Sequence, residues 1–453
     1  MEMPKRTPRG QRLVLVPCPY QGHINPMLQL GKFLHSKGFS ITIVHTHFNS
    51  PSPSNHPEFI FLPIPDGLTV PLVSSGNIIA ILLALNANCK SSFLQCLTTQ
   101  VMKQEPEKKI TCIIYDEFMY FSEPVANHLN IPSIILRTTS AANFLARTTV
   151  VDLHSKGLIP FPDSELLNPV PQLHPIRFKD LPISPFDTFE NFLKVVVNAH
   201  DVRTSSAIIC NTTDCLDQSS LARIQQHCQV PIFSIGPLHK IATAASSSFL
   251  EEDTSCIEWL DKQSHKSVIY VSLGSVASIG EKELAEMAWG LANSKQPFLW
   301  VIRPGSVIGS DWTELLPQGF REAIGERGFI VKWAPQREVL AHGAVGGFWT
   351  HCGWNSTLES ISEGVPMICK PCFSDQKVHA RYISRVWRIG LELEDEFERG
   401  EIERAVRKLM MNSDGEEIRM RAKDMKEKIQ VSMSKGGSNY NFLNELVEFI
   451  MAF

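Results

Sequence analysis

The sequence predicts an α/β protein built from two doubly wound domains of similar size. Short apolar segments alternate with segments of helical periodicity in the first half of the chain, and the same alternation recurs in the second half. Such alternation is typical of parallel sheets covered by helices. A length of 453 residues fits two or three domains at about 150 residues each. Repetition of a whole half favours two.

The first half opens with an apolar strand at residues 13–16, followed by a turn rich in proline and glycine. A helix is predicted next, with Asn25 as its N-cap and Pro26 as its first helical residue. A strand follows at 39–45. Farther along, a strand at 110–115, a helix at 121–129 and a strand at 131–136 continue the pattern.

The second half repeats the order of strand and helix. Predicted strands lie at 268–271, 298–301, 328–331 and 346–350, and predicted helices at 281–294, from about 356, at 399–428 and at 438–453. The segment 241–252 is rich in Ala, Ser and Thr, which suggests a linker. We therefore predict domains at 1–240 and 253–435, with 436–453 packing back on the first.

Composition excludes several classes of protein. Lys and Arg total 43 and Asp and Glu total 47, a net charge of −4, which argues against nucleic-acid binding. The longest run without a polar residue, 78–85, is far shorter than the ~20 residues of a membrane-spanning helix. The first residues lack the long apolar core of a secretory signal. We expect a cytoplasmic monomer whose partners are small molecules.

The cysteines argue against a disulfide scaffold and against a metal centre. There are eleven of them, an odd number that is typical of reduced thiols. Cys369 and Cys372 form a CxxC pair, but no second pair stands at zinc-ligand spacing. We therefore predict no metal and no cofactor.

Four loops are candidates for ligand binding, because open α/β sheets bind ligands beyond the carboxyl ends of their strands. They follow Val16, Tyr115, Val271 and Thr350. The last one reads His-Cys-Gly-Trp-Asn-Ser at 351–356 before a predicted helix, an arrangement that favours a bound phosphate. A local alternative is a capping box formed by Ser356 and Glu359.

The segment 333–376 resembles the PSPG box of plant family 1 UDP-dependent glycosyltransferases and matches its 44 positions without a gap. The opening Gln-Gly-His-Ile-Asn-Pro at 21–26 and the closing charged helices extend the resemblance to most of the chain. In detail it is most similar to the subgroup of steviol-glycoside and cytokinin glucosyltransferases. The resemblance implies the GT-B fold, two facing Rossmann-like domains with a cleft between them.

The resemblance also implies which residues bind a UDP-sugar donor. Trp333 would stack on uracil, and the backbone of Ala334 would bond the uracil edge. Trp333 and Trp354 could instead be core aromatics. The ribose would be contacted by Gln336 and Glu359. The diphosphate would be held by Ser275, His351, Gly353, Asn355 and Ser356. The sugar would be contacted by Trp354, Asp375, Gln376 and Thr139. Glutamine at the last position, 376, accompanies UDP-glucose more often than UDP-galactose in this family, so we expect glucose.

His23 is the predicted catalytic base. It precedes a predicted helix N-terminus, whose positive end keeps an imidazole neutral and able to accept a proton. By resemblance Asp116 pairs with His23 and orients its ring. The neighbouring Glu117 is a rival carboxylate, and His45 and His47 are rival histidines. A structural role for His23 or Asp116 is the alternative.

The acceptor pocket is predicted to be hydrophobic and to form in the first domain. Arg137 has two interpretations, a contact for an acidic acceptor or a buried structural salt bridge, and the second is favoured. The pocket candidates, each of which could also be plain core, are Phe118, Met119, Asn143, Phe144, Leu82 and Leu85.

Together these residues predict an inverting transfer of glucose from UDP-glucose to a hydroxyl of a lipophilic small molecule, with no metal involved. The alternatives are a UDP-sugar epimerase or hydrolase of the same architecture, a retaining transferase, and a non-catalytic small-molecule binder. The last should have lost His23 or Asp116, and both are present.

Overall fold

The computed structural model of the chain describes residues 11–104, 109–242, 250–394 and 397–453. Their contacts divide them into two compact units. The first unit takes its described residues from 1–159, 183–249 and 431–453, and the second from 160–182 and 250–430. Most of the predicted linker (243–249) and the first ten residues, on which the absence of a secretory signal was predicted, lie outside the described residues.

The first unit contains a seven-stranded parallel sheet. Its strands are β1 Arg12–Val16, β2 Ser40–Thr46, β3 Ile60–Ile64, β4 Ile110–Asp116, β5 Ser133–Arg137, β6 Ala207–Cys210 and β7 Ile232–Ser234. Their order across the sheet is β3-β2-β1-β4-β5-β6-β7. The strand order therefore reverses between β1 and β4, which is where an open α/β sheet binds its ligand.

Helices surround this sheet, and the last helix of the chain packs on it. Leu446 and Ile450 of that helix are fully buried in the same apolar cluster as Leu13 and Leu15 of β1. The helices are α1 Gln21–Ser36, α2 Val70–Ser74, α3 Ile78–Cys96, α4 Met102–Gln104, α5 Ser122–His128, α6 Ala141–Ser155, α7 Phe189–His200, α8 Asp214–His227, α9 Leu238–Ile241 and, in chain order, α18 Ser438–Met451.

One described helical segment, Ile78–Val101, is long and apolar enough to cross a membrane by length and composition alone. The core helix of a globular protein meets the same criterion, and Leu85 and Phe93 of this segment are fully buried in the first unit. The run of residues 78–85 counted in the sequence stops before Asn86, whose side-chain amide forms hydrogen bonds within the first unit.

The second unit contains a six-stranded parallel sheet and eight helices among its described residues. The strands are β8 Val268–Ser272, β9 Phe298–Val301, β10 Gly328–Val331, β11 Val345–Thr350, β12 Met367–Cys369 and β13 Gly390–Glu392. The helices are α10 Ser255–Leu260, α11 Glu281–Ser294, α12 Phe320–Ile324, α13 Gln336–Ala341, α14 Trp354–Glu363, α15 Asp375–Arg381, α16 Arg399–Met411 and α17 Ser413–Met433.

The strand order of the second sheet is β10-β9-β8-β11-β12-β13, the 3-2-1-4-5-6 order of a dinucleotide-binding fold. Its reversal lies between β8 and β11, so the loops after these two strands frame the expected ligand position. Two doubly wound parallel sheets confirm the predicted α/β class.

Two predicted helix starts are wrong. Helix α1 begins at Gln21, with Tyr20 as its N-cap and Pro26 inside it, so His23 lies in the first helical turn. Helix α14 begins at Trp354 after Gly353, so Ser356 does not cap it and the capping-box alternative is wrong.

The structure also differs from the predicted domain boundaries at one segment. Residues 160–182 were predicted in the first domain, yet their contacts place them in the second unit. They are held there by buried ion pairs, which a pattern of apolar residues does not reveal.

Candidate active site

The first group of site residues lies at the strand reversal of the first sheet. His23 Nδ1 is 2.8 Å from Asp116 Oδ2 and 2.9 Å from Thr138 Oγ1. Asp116 ends β4 and its side chain is fully buried, whereas 22% of the His23 side chain is exposed. A carboxylate can only accept a hydrogen bond, so Nδ1–H donates to Asp116, and Nε2 is then the ring nitrogen that can accept a proton.

Asp116 is itself held in place. Its Oδ1 accepts a bond of 3.0 Å from the backbone N–H of Phe118, and the Phe118 ring meets the His23 ring edge-on at 5.4 Å between centroids. Thr138 follows β5 and was not predicted as a partner of His23. The pairing of β4 with β5 places Thr138 near Asp116 and therefore near His23.

Glu117 and His45, the rivals of Asp116 and His23, form hydrogen bonds with other residues. Glu117 accepts a bond of 3.0 Å from Arg147 Nη1 and lies 3.6 Å from Arg137 Nε. The Arg137 guanidinium also covers the Phe144 ring at 3.8 Å, so its contacts support the structural interpretation. His45 Nδ1 donates to the backbone carbonyl of Thr46.

A third side chain beside this pair raises the question of a metal. The ligand atoms of Cys18, His23 and Asp116 all lie within 4.8 Å of one another. However, burial raises the pKa of the Cys18 thiol well above its usual value, and the charges of Asp116 and Glu117 raise it further. Because thiolates rather than thiols bind metals, this group fits a proton-transfer pair better than a metal centre.

The predicted acceptor residues divide by exposure. Met119, Asn143, Leu82 and Leu85 are buried, and Asn143 Nδ2 donates to Thr139 Oγ1 at 3.1 Å. Phe118 and Phe144 are partly exposed and are the two rings able to meet a ligand directly. The other four residues belong to the buried interior of the first unit.

Asn86 joins helix α3 to the loop after β4, and the sequence did not point to it. Its Nδ2 donates to the Phe118 carbonyl at 2.7 Å, and its Oδ1 accepts from the Phe121 N–H at 2.9 Å. The bonds hold the Phe118 loop against helix α3. An asparagine in an apolar helix is a signal that could have indicated such a tie.

The second group of site residues surrounds the loop after β11. An added Cβ at Gly274, in the loop after β8, would lie 2.5 Å from His351 Cε1, and one at Gly353 would collide with His351 Nε2. Two backbone segments therefore approach the His351 ring closely because both are glycine. Cys352, which lies between His351 and Gly353 in the chain, has a positive φ of 65°, which marks a strained turn.

His351 is uncharged at neutral pH. Burial is the main cause and lowers its pKa to about 4, against a smaller opposing effect from Asp375. A neutral ring can donate a hydrogen bond to a phosphate oxygen without carrying a charge that must be desolvated. The backbone N–H groups in the first turn of a helix point toward its N-terminus, so those of α14 face the loop that holds His351.

Three other residues predicted to bind the UDP-sugar form one hydrogen-bond network. Gln336 Nε2 donates to Ser356 Oγ at 3.0 Å and to Glu359 Oε2 at 2.7 Å. Gln336 Oε1 accepts from Tyr270 at 3.3 Å. This network aligns a carboxylate and a hydroxyl beside the start of α13, a suitable arrangement for a ribose diol.

The aromatic residues of the box differ in burial. Trp333 is partly exposed, as a stacking surface for a base must be, and its carbonyl accepts from Asp253. Ala334 and Trp354 are buried, and Trp354 packs against the His379 ring at 4.8 Å. A core role for the Trp354 ring is therefore supported, and its sugar contact stays a prediction.

The two predicted sugar contacts at the end of the box begin helix α15. Gln376 Oε1 accepts from the N–H groups of Cys372 and Phe373 at 2.8 and 3.2 Å, which leaves its amide nitrogen to donate. His379, one turn later, donates to the Cys352 carbonyl at 3.0 Å. Helix α15 is thus hydrogen bonded to the loop after β11, where the phosphate is predicted to bind.

Comparison with known proteins identifies the chain. The family described as UDP-glucoronosyl and UDP-glucosyl transferase matches residues 66–428. The chain belongs to this family. UDP-glycosyltransferase 76E1 of Arabidopsis thaliana is 52% identical over 96% of each chain, and flavonol 3-O-glucosyltransferase UGT76E12 of the same plant is 50% identical over 98% of this chain and 97% of its own.

A solved structure agrees. The complex of UDP-glucose:anthocyanidin 3-O-glucosyltransferase with UDP is 28% identical and aligns with a TM-score of 0.85 over 98% of this chain and all of the other. The predicted plant UDP-glycosyltransferase with a GT-B fold is therefore confirmed, and the chain is a glycosyltransferase with a UDP-sugar as co-substrate.

In this UDP-glycosyltransferase, Gly274→Ala should weaken UDP binding by about tenfold or more. The new Cβ collides with the His351 ring, and the φ of +77° costs a residue other than glycine about 1–3 kcal/mol. Gly280→Ala is the matched control, because nothing lies within 4 Å of its added Cβ. Calorimetric titration with UDP measures both. Equal affinity in the two variants would refute the close packing of Gly274 on His351.

His351 should stay neutral in the free enzyme between about pH 5 and 8. NMR of histidine-labelled protein, with His351→Asn to assign the signal, should show a midpoint near the value of about 4. The unfolded chain takes up this proton first, near pH 6.5. The free energy of unfolding should therefore fall as the pH drops from about 6.5 to about 4. A midpoint near 6.5 would contradict the burial of this ring.

Proposed function

We propose that this chain is an inverting glucosyltransferase that moves glucose from UDP-glucose to a hydroxyl of a lipophilic small molecule and releases a β-glucoside. The observation that carries the proposal is the hydrogen bond between His23 Nδ1 and the buried Asp116. It supplies an oriented base whose Nε2 can accept a proton from a hydroxyl.

The chemistry follows from these groups. His23 takes the acceptor proton as the acceptor oxygen attacks the anomeric carbon, and Asp116 stabilises the imidazolium that forms. Attack from the face opposite UDP inverts the α-linked donor. The amides at the start of α14 and the neutral His351 stabilise the charge on the departing diphosphate, so the reaction needs no metal.

The donor side supports UDP-glucose. The partly exposed Trp333 offers a stacking surface for uracil, and the Gln336–Glu359 pair offers a carboxylate for the ribose. Asp375 and the amide nitrogen of Gln376 are the proposed sugar contacts, with Thr139 as a further one. The first unit is proposed to hold the acceptor, and the second unit, which includes residues 160–182, to hold the donor.

The acceptor side supports a flat, largely apolar molecule. Phe118 and Phe144 are partly exposed aromatic rings, and Met119, Leu82 and Leu85 are buried apolar residues of the same unit. Two similar proteins are named for flavonol and anthocyanidin glucosylation, so hydroxylated flavonoids are the acceptors to test first. All eleven cysteines lie in the described part of the chain and are free thiols there, which supports a reducing compartment. We propose a cytoplasmic monomer.

The test is to incubate the purified chain with UDP-glucose and a panel of flavonols, other phenols and terpenoid alcohols, and to read the mass gain of one hexose. We expect the gain with at least one aromatic acceptor and little loss of UDP-glucose without acceptor. Equal consumption of UDP-glucose with and without acceptors would instead support a hydrolase or epimerase.

A further inference from the structure

The segment of residues 160–182, here called the strap, joins the second unit although both of its flanking segments belong to the first. Its backbone is held by its own hydrogen bonds, from Val170 N–H to the Ile176 carbonyl at 2.8 Å and from Phe178 N–H to the Asn168 carbonyl at 3.1 Å. Val170 and Ile176 are buried. The strap is therefore an ordered part of the donor-binding unit.

Five charged residues, here called the strap cluster, fasten it. They are Arg177 and Asp180 of the strap, and Arg381, Glu392 and Glu394 of the second unit. Arg177 pairs with Asp180 at 2.7 Å and with Glu394 at 2.6 Å. Arg381 lies 3.5 Å from Asp180 and pairs with Glu392 at 3.1 Å and Glu394 at 3.0 Å.

Most of the strap cluster is shielded from water. The side chains of Arg381, Asp180 and Glu392 are 8%, 6% and 6% exposed, so water screens their charges little and each carboxylate needs its arginine. Glu394 stays ionised. Burial opposes this, but hydrogen bonds from Arg177 and Arg385 lower its pKa to about 2.

The strap cluster lies at the opposite end of α15 from the sugar contacts. Arg381 is the last residue of this seven-residue helix, and Asp375 and Gln376 are its first two. Six steps at about 1.5 Å each separate the ends by about 9 Å. Lys377 Nζ also donates to the Lys179 carbonyl of the strap at 3.4 Å, and Arg381 Nε donates to the Pro175 carbonyl.

We propose that the strap cluster fixes the position of α15, and thereby places Asp375 and Gln376 for recognition of the donor sugar. Arg381, Asp180 and Arg177 are positioning residues in this account and do not touch the donor. The inference rests on the proposed function, which assigns the sugar contacts to Asp375 and Gln376. A segment from the acceptor half of the sequence would thus tune donor selectivity.

The test uses the full chain and the variant Asp180→Asn, which keeps the shape of the side chain and removes the charge shared by two arginines. UDP, UDP-glucose and UDP-galactose are titrated calorimetrically into each protein. We expect the preference for UDP-glucose over UDP-galactose to fall about tenfold, and the affinity for UDP to change less than about twofold. In turnover, the KM for UDP-glucose should rise by a similar factor.

Two further variants keep the proposal falsifiable. Arg381→Lys retains the charge and loses the forked geometry, so it should fold even where Asp180→Asn does not and show the same selective loss to a smaller degree. Arg385→Gln is the control, because Arg385 is 56% exposed and Glu394, which it contacts, keeps its pairs with Arg177 and Arg381 when Arg385 is lost. Its selectivity should be unchanged.

A parallel loss of UDP and UDP-glucose affinity would show a merely structural role and overturn the proposal, as would unchanged selectivity in both Asp180→Asn and Arg381→Lys. Wild-type protein that binds UDP-glucose but transfers nothing would refute the proposed transferase function. The binding comparison would still decide the role of the strap.

Discussion

His23→Ala should lower the rate of glucosyl transfer by about 10²–10⁴-fold, the usual contribution of a positioned general base. The affinity for UDP should be unchanged, because the residues predicted to bind UDP lie in the second unit and His23 lies in the first. The loss should appear in kcat, since the hydroxyl would have to be deprotonated by water as it attacks.

The control for this variant is His47→Ala. His47 is an exposed histidine that follows β2, and its removal should leave transfer intact. Turnover by mass gain of one hexose and UDP binding by calorimetry measure both variants. Near-normal turnover of His23→Ala would remove His23 from the mechanism.

Asp116→Asn should lower transfer by up to about 10⁴-fold, the effect known for a tautomer-setting aspartate. The amide of asparagine would donate to His23 Nδ1, which moves the ring proton to Nε2, where the acceptor hydroxyl must deliver its own proton. The fully buried carboxylate also balances the charge of the imidazolium, and asparagine cannot.

The pH–rate profile separates these effects from a loss of structure. Asp116→Asn should fold, because the amide oxygen can still accept the bond from the Phe118 N–H. Glu117→Gln is the comparison, since it weakens a buried pair with Arg147 and should lower the free energy of unfolding more than the rate. If Asp116→Asn lost stability but kept its rate, Asp116 would be only structural.

Local patterns predicted the parts of the molecule that depend on local order. The apolar segments became strands of two parallel sheets, and the loops after Val16, Tyr115, Val271 and Thr350 lie at the two strand reversals. This followed from the geometry of parallel sheets. The GT-B class and the family came from the 44 matching positions of the PSPG box and are confirmed.

What depends on distant contacts could not be predicted. Thr138 reaches His23 across 115 positions of sequence, and a threonine does not mark such a partner. Asn86 meets Phe118 across 32 positions; an asparagine in an apolar helix indicates a polar contact but does not say with which residue. The strap belongs to the second unit because Asp180 meets Arg381, and Arg177 meets Glu394, about 200 positions later. The start of α1 was misplaced because Asn25 and Pro26 form a typical N-terminal signal, yet the helix begins at Gln21 and continues through both residues.

The anomeric configuration of the glucoside formed from UDP-glucose tests the central claim most directly. Proton NMR of the purified product of a flavonol acceptor distinguishes the two anomers without ambiguity. Direct displacement at the anomeric carbon, with His23 as the base and UDP leaving from the opposite face, predicts the β-glucoside alone. An α-glucoside would require retention and would contradict the proposed mechanism.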